Sequence, residues 1–176
     1  MKRIIGFALL AALLGLPDCG APEPAQEPTP LAFDTGFQIN THGYREDLPG
    51  SYTSLLVRSR EFLDAYYTGD QDGSKSAYLP ALEKYDDAFF SDKVLLLITK
   101  AEGSGSISLQ VLDVSLRAEM DRLEVRVLRV LPEVGTADMA LWVIGIELDK
   151  SAIPEGLSPH GNFPVTVEFI DYNRKG

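Results

Sequence analysis

Residues 106–117 read SISLQVLDVSLR and residues 122–131 read RLEVRVLRVL. Both runs alternate apolar and polar residues with the period of two that puts every second side chain on one face of a β-strand. In the first, Ile107, Leu109 and Val111 share a face, and the apolar set then moves to Leu112, Val114 and Leu116. In the second, Leu123, Val125 and Val127 are followed by Leu128 and Val130. Folded as a hairpin closing near Glu119-Met120, the two changes of phase fall opposite each other, Val111 facing Leu128 and Leu112 facing Val127. The expectation is one bend or bulge shared by both strands, of the kind that carries strands from one sheet of a sandwich or barrel to the other.

The flanking sequence agrees with a β-rich core. VLLLIT (94–99) is apolar on both faces, as a central strand buried from both sides requires. LWVIGIEL (141–148) reads as another buried strand, FPVTVEFIDY (163–172) as one that changes phase at Phe169-Ile170, and SYTSLLVRS (51–59) as a short strand. Helical spacing occurs in two places. In REFLDAYYT (60–68), Phe62, Leu63, Tyr66 and Tyr67 form one stripe behind Ser59 as N-cap, with Gly69 as the stop. In SAYLPALEKYDDAFFSDK (76–93), Leu79, Leu82, Tyr85 and Phe89 recur on one face and Pro80 suits a first turn. These aromatics read as the inward face of helices covering a sheet. The pattern predicts an α+β fold: a curved, mostly antiparallel β-sheet, sandwich- or barrel-like, with one or two covering helices.

The N-terminus has the three-part form of an export signal. Lys2 and Arg3 precede an apolar run from Ile4 to Leu16, too short for the roughly 20 residues a bilayer span needs. Leu16-Pro17-Asp18-Cys19 resembles the lipobox of bacterial lipoproteins, although Asp18 stands where that family has a small neutral residue. Cys19, the one cysteine of the chain, is the expected lipid attachment point, because a single thiol in an exported protein has no internal partner. Secretion after cleavage near Cys19-Gly20-Ala21 is the other reading of the same residues. Residues 1–18 are thus expected as a signal peptide, 19–33 as the anchor with a stiff Pro-rich spacer, and 34–176 as one globular domain. Loss of Lys2, Arg3 and Asp18 takes the formal net charge from −10 to −11. With no cluster of Lys or Arg, such a chain is unsuited to nucleic acid.

Candidate chemistry is sparse. His42 and His160 are the two histidines, far apart and each beside a glycine, so no metal site is expected. TGDQDGSKSAYL (68–79), set as a calcium loop, has Thr68 first and Leu79 at the position that needs a bidentate Glu. EGSGS (102–106) lacks the Lys and following helix of a phosphate loop, and no Gly-x-Ser-x-Gly elbow occurs. Asp86-Asp87 reads as solvated helix surface. No catalytic residue and no cofactor are expected. Two polar loops mounted between strands are the candidates for recognition: Glu102, Gly103, Ser104, Gly105 and Ser106 in the first, and Pro132, Glu133, Gly135, Thr136 and Asp138 in the second. Gly105 is expected to supply a positive φ to the first turn.

The run KYDDAFFSDKVLLLITKAEGSGSISLQVLDV, followed by RLEVRVLRVLPEVGTADMALWVIGIELDKS, resembles the C-terminal domain of the protease complex subunit PrcB family over roughly residues 52–172. Strand, Gly-rich turn, long hairpin, Pro-ended strand and buried strand follow in the same order. At the turn, Gly, Ser and Ile match, while the family's Lys-Pro-Thr and Tyr are absent from Ala101–Ile107. The resemblance implies a non-enzymatic envelope lipoprotein whose domain binds an exported protein, with a protease-associated accessory or inhibitor as the form it suggests. Two other classes stay open: an envelope hydrolase with a site that one sequence does not reveal, and a purely structural envelope protein.

Overall fold

The computed structural model describes residues 27–41, 52–68, 78–154 and 163–173. Among them are strands β1 (Thr29–Pro30), β2 (Phe33–Thr41), β3 (Tyr52–Val57), β4 (Lys93–Glu102), β5 (Ser108–Arg117), β6 (Arg122–Leu131), β7 (Ala140–Asp149) and β8 (Val165–Asn173). The helices are α1 (Arg60–Thr68), α2 (Leu79–Leu82) and α3 (Asp87–Asp92). Two four-stranded sheets form, ordered β1-β5-β6-β8 and β2-β7-β4-β3. All pairings are antiparallel except β6 with β8. No described helix is long and apolar enough to cross a membrane.

The continuous apolar run of β4 follows from its place between two layers. Val94, Leu96 and Ile98 meet Leu109, Val111, Val114, Leu123, Val125 and Val127 of the first sheet. Leu95 and Leu97 face the opposite way, against Leu63, Tyr78, Leu82, Tyr85 and Phe90 of the helical cover. Each such aliphatic side chain, removed wholly from water, contributes about 1.5–3 kcal/mol. The sheets stay open at their edges, so the fold is a sandwich under helices and not a closed barrel.

The hairpin forms, closing through a 3-10 turn at Ala118–Met120 with Asp121 in the left-handed region at φ 44°. From the turn to Asp113, which faces Arg126, its register is the expected one; Leu112 is the extra residue of a bulge, and beyond it the register is shifted by one, so that Val111 faces Val127. Only β5 is bulged. The register of β6 with β8 has no shift, so Leu128 and Val130 on β6, and Ile170 on β8, alternate onto the outer face of the sheet. Their change of phase marks apolar residues turned toward solvent, whereas in β5 the bulge brings Val114 back to the core.

Two further differences have local causes. The helical stretch from Leu79 to Phe89 is broken, because Asp86 takes an extended backbone and accepts the Phe89 N–H at 2.9 Å, capping a new helix, α3. The cover therefore has three short helices, and Tyr85 is wholly buried at the junction. Ser59 does cap α1, accepting from Phe62 N–H at 3.2 Å. The sheet also begins earlier than the expected spacer boundary: Thr29 and Pro30 pair with Leu116 and Ser115, and β2 opens at Phe33. Proline is tolerated there because an edge strand need not donate outward. The expectations for Cys19, His42, Gly69, His160 and most of residues 68–79 concern positions outside the described residues.

Side chains of one sheet cap the open edges of the other. Gln38 on β2 donates to Leu109 O at 2.7 Å. Tyr52 on β3 accepts the Val167 N–H at 2.9 Å and donates to Val165 O at 3.4 Å. The register also gives the sandwich two distinct ends. The chain arrives through Thr29, opposite Leu116 beside the 118–121 turn. Residues 103–107 and 132–139 lie at the other end of β5 and β6, about 30 Å away at about 3.3 Å per residue.

Candidate functional site

The far end of the sandwich is built from the two loops that composition singled out, and they are joined. Ser104 to Ile107 form a turn in which Ile107 N–H donates to Ser104 O at 3.3 Å. Gly105 N–H donates to Asp138 O at 2.8 Å and also approaches Asp138 Oδ1 at 3.3 Å. The Thr136 hydroxyl lies 3.1 Å from that of Ser104 and 2.8 Å from that of Ser106. Ser104, buried, also accepts the Ser106 N–H at 3.3 Å. From β2, Asn40 donates to Gly105 O at 3.2 Å. The second loop is thus held at Thr136 and Asp138 against a turn that is itself fixed to a strand.

Gly105 is tightly placed for a different reason than expected. Its φ lies outside the left-handed range, and what excludes a side chain is Asp138, whose carboxylate occupies the place a Cβ would take. Gly135 similarly has Ser104 Oγ 3.2 Å from its would-be Cβ. Gly103, by contrast, has open space around it.

Glu102 does not belong to the exposed surface. It is 3% exposed and accepts from Arg129 Nε at 2.8 Å and Nη2 at 2.7 Å, while Arg129 Nη1 donates to Asp171 at 2.6 Å. The Glu102 bonds, foremost, raise the Arg129 pKa. This pair joins β4 of one sheet to β6 of the other just below the loops. Lys100, also buried, lies with its ammonium 5.2 Å from the Phe169 ring centre. The signal for Arg129 was present in the alternation Leu123, Val125, Val127, Arg129, which puts a guanidinium on the core face.

What the loops present outward is apolar as well as polar. Val134, between Glu133 and Gly135, is 84% exposed, and Met139 at the end of the same loop is exposed. Neither was selected by composition, since a lone Val among polar residues reads as ordinary loop. Pro132 is half-buried; Glu133, Thr136 and Asp138 are exposed. Among the described residues, the three hydroxyls of Ser104, Ser106 and Thr136 are bonded to one another and to backbone. Such a set can offer hydrogen bonds to a docking surface.

Compared with protein families, with curated proteins and with solved structures, the chain matches none.

Proposed function

We propose that this chain is a non-enzymatic, lipid-anchored protein of the bacterial cell envelope whose β-sandwich binds another exported protein through the end formed by residues 103–107 and 132–139. The observation that carries the reading is the clasped second loop: Thr136 and Asp138 fix it to the 104–106 turn, and Val134 projects from it at 84% exposure. An apolar side chain held out on a rigid support loses little entropy on docking and suits a binding anchor. The orientation supports the same reading, because a chain anchored at Cys19 and entering through Thr29 would carry these loops at the end away from the membrane. The resemblance to the PrcB family adds a protease as the candidate partner.

The experiment is crosslinking in the native envelope followed by pull-down from wild type and from Val134→Ser, with labelled fatty acid to follow Cys19. The expected result is lipid on Cys19, and a specific exported protein recovered with wild type and reduced about tenfold with Val134→Ser. Recovery unchanged by Val134→Ser and by Gly105→Val would move the interface elsewhere. Absence of lipid would remove the anchor, and turnover of a substrate by the purified protein would overturn the non-enzymatic reading.

A further inference from the structure

The apolar residues that change phase gather on the outer face of the first sheet. Leu128 is in register with Ile170, and Val130 with Tyr172. Leu112, extruded by the bulge, adjoins them at 38% exposure, and Tyr172 is 55% exposed. Toward the hairpin turn the same face carries two carboxylates, Asp113 and Glu168, around the single guanidinium of Arg126, while Asp171 on β8 is turned to the other face with Arg129.

An open strand edge coincides with this patch. Val165 C=O and Val167 N–H point away from β6, since both meet the Tyr52 hydroxyl. The period of two aims the N–H and C=O of Phe169, Asp171 and Asn173 the same way. Past Tyr52 no described strand pairs with that edge.

We propose that residues 169–173 of β8 bind an extended peptide segment of another protein, apolar at alternate positions and basic at its flanks, as an added strand of the first sheet. Main-chain hydrogen bonds supply the affinity of such strand addition, and alternate side chains its specificity. Outward residues of the added strand sit about 5 Å from Ile170 and Tyr172, and its basic flanks meet the exposed Glu168 on a chain of net charge −10. A second copy of this chain is a poorer occupant on two counts. Two chains of charge −10 repel. A patch of this size, on the order of a few hundred Å², also falls short of the roughly 800 Å² per partner of a stable interface. The proposal rests on residues separate from the Val134 loop, and β6 leads from Val130 straight into that loop, so one partner can span both.

The probes are two fluorescein-labelled synthetic peptides of about ten residues with a Val/Thr core, one flanked by lysines and the other by glutamates. Fluorescence anisotropy against the purified full-length chain is expected to show saturable, salt-sensitive binding of the lysine peptide, at least about tenfold tighter than the glutamate peptide. Tyr172→Ser, at an exposed position, should weaken it about tenfold. Asn173→Pro removes an outward N–H and leaves the bonds to β6, so it should block binding while the fold is kept. Hydrogen exchange should slow at Phe169, Asp171 and Asn173 in the complex. Equal affinity for both peptides, indifference to Tyr172→Ser and Asn173→Pro, or protection confined to residues 103–107 would each overturn the proposal. So would sedimentation showing a dimer of the chain alone that Asn173→Pro dissolves, since the edge would then belong to a second copy.

Discussion

Arg129→Ala should destabilise the protein far more than Glu102→Gln, although both remove the same ion pair. The carboxylate of Glu102 is almost sealed, at 3% exposure, and takes two short bonds from one guanidinium. Arg129 retains 21% exposure and a second partner in Asp171 at 2.6 Å. Deleting the arginine leaves a buried anion without its bidentate donor, a loss of about 3–5 kcal/mol where one partner of a buried pair is removed. Neutralising the glutamate leaves a cation that is partly solvated and still paired with Asp171, a loss of about 1–2 kcal/mol. Replacing both by Met should cost less than Arg129→Ala alone, because neither charge is then stranded. Urea unfolding followed by the fluorescence of Trp142, the one tryptophan, measures all three. A deficit for Arg129→Ala no larger than that for Glu102→Gln would refute the argument that burial, and not the bond count, sets the loss.

Gly145→Ala should cost about 1–3 kcal/mol by overpacking, since the added Cβ meets the Phe37 ring that lies over this glycine; a change in midpoint without a change in slope of the urea curve is the expected signature. At the hairpin, bonds from Arg117 hold the Glu124 carboxyl below the usual glutamate range. A lowered folded pKa means stabilisation present above the ordinary value and lost as pH falls through the folded one. Glu124→Gln should therefore show a deficit under about 1 kcal/mol at neutral pH that vanishes in acid, read from unfolding at both. Burial, then the bond to Glu147, pushes the Tyr85 phenol well above its usual range. Its contribution is complete below about pH 10 and is lost as pH rises above that. Tyr85→Phe should therefore flatten the alkaline fall in stability by about one proton, measured by unfolding across that range.

Buried strands announced themselves because their composition reports how many faces are covered: Val94 to Ile98 could only be a strand between two layers. The hairpin was equally legible, since its alternation is long. Its register beyond the bulge was not, because an apolar residue one step out of phase reads the same whether a bulge extrudes it, as with Leu112, or a straight strand turns it outward, as with Leu128. That distinction depends on the partner strand and is absent from either segment alone. The break at Asp86 was missed for a similar reason, as Leu79, Leu82, Tyr85 and Phe89 keep helical spacing across it while one carboxylate restarts the helix. At the candidate site, glycine and serine content located both loops. It did not reveal that they clasp each other, that Glu102 turns inward to Arg129, or that Val134 stands at the tip. Those facts depend on contacts between residues some 30 positions apart.

The opposite placement of the chain's point of arrival and the clasped loops has a mechanical consequence. If the chain is tethered at its N-terminus and gripped at its far end, as proposed above, it is pulled along its strands. β2, the first long strand after the tether, runs in that direction and is paired with β7 from Phe33 and Leu148 to Thr41 and Leu141. Hydrogen bonds between antiparallel strands lie perpendicular to the strands, so a pull along β2 loads the whole ladder in shear at once, where a sideways pull would part its bonds one by one. With β7 in turn paired to β4 along its full length, a pull between the proposed membrane anchor and a partner at the loops would pass through the middle of the sheet.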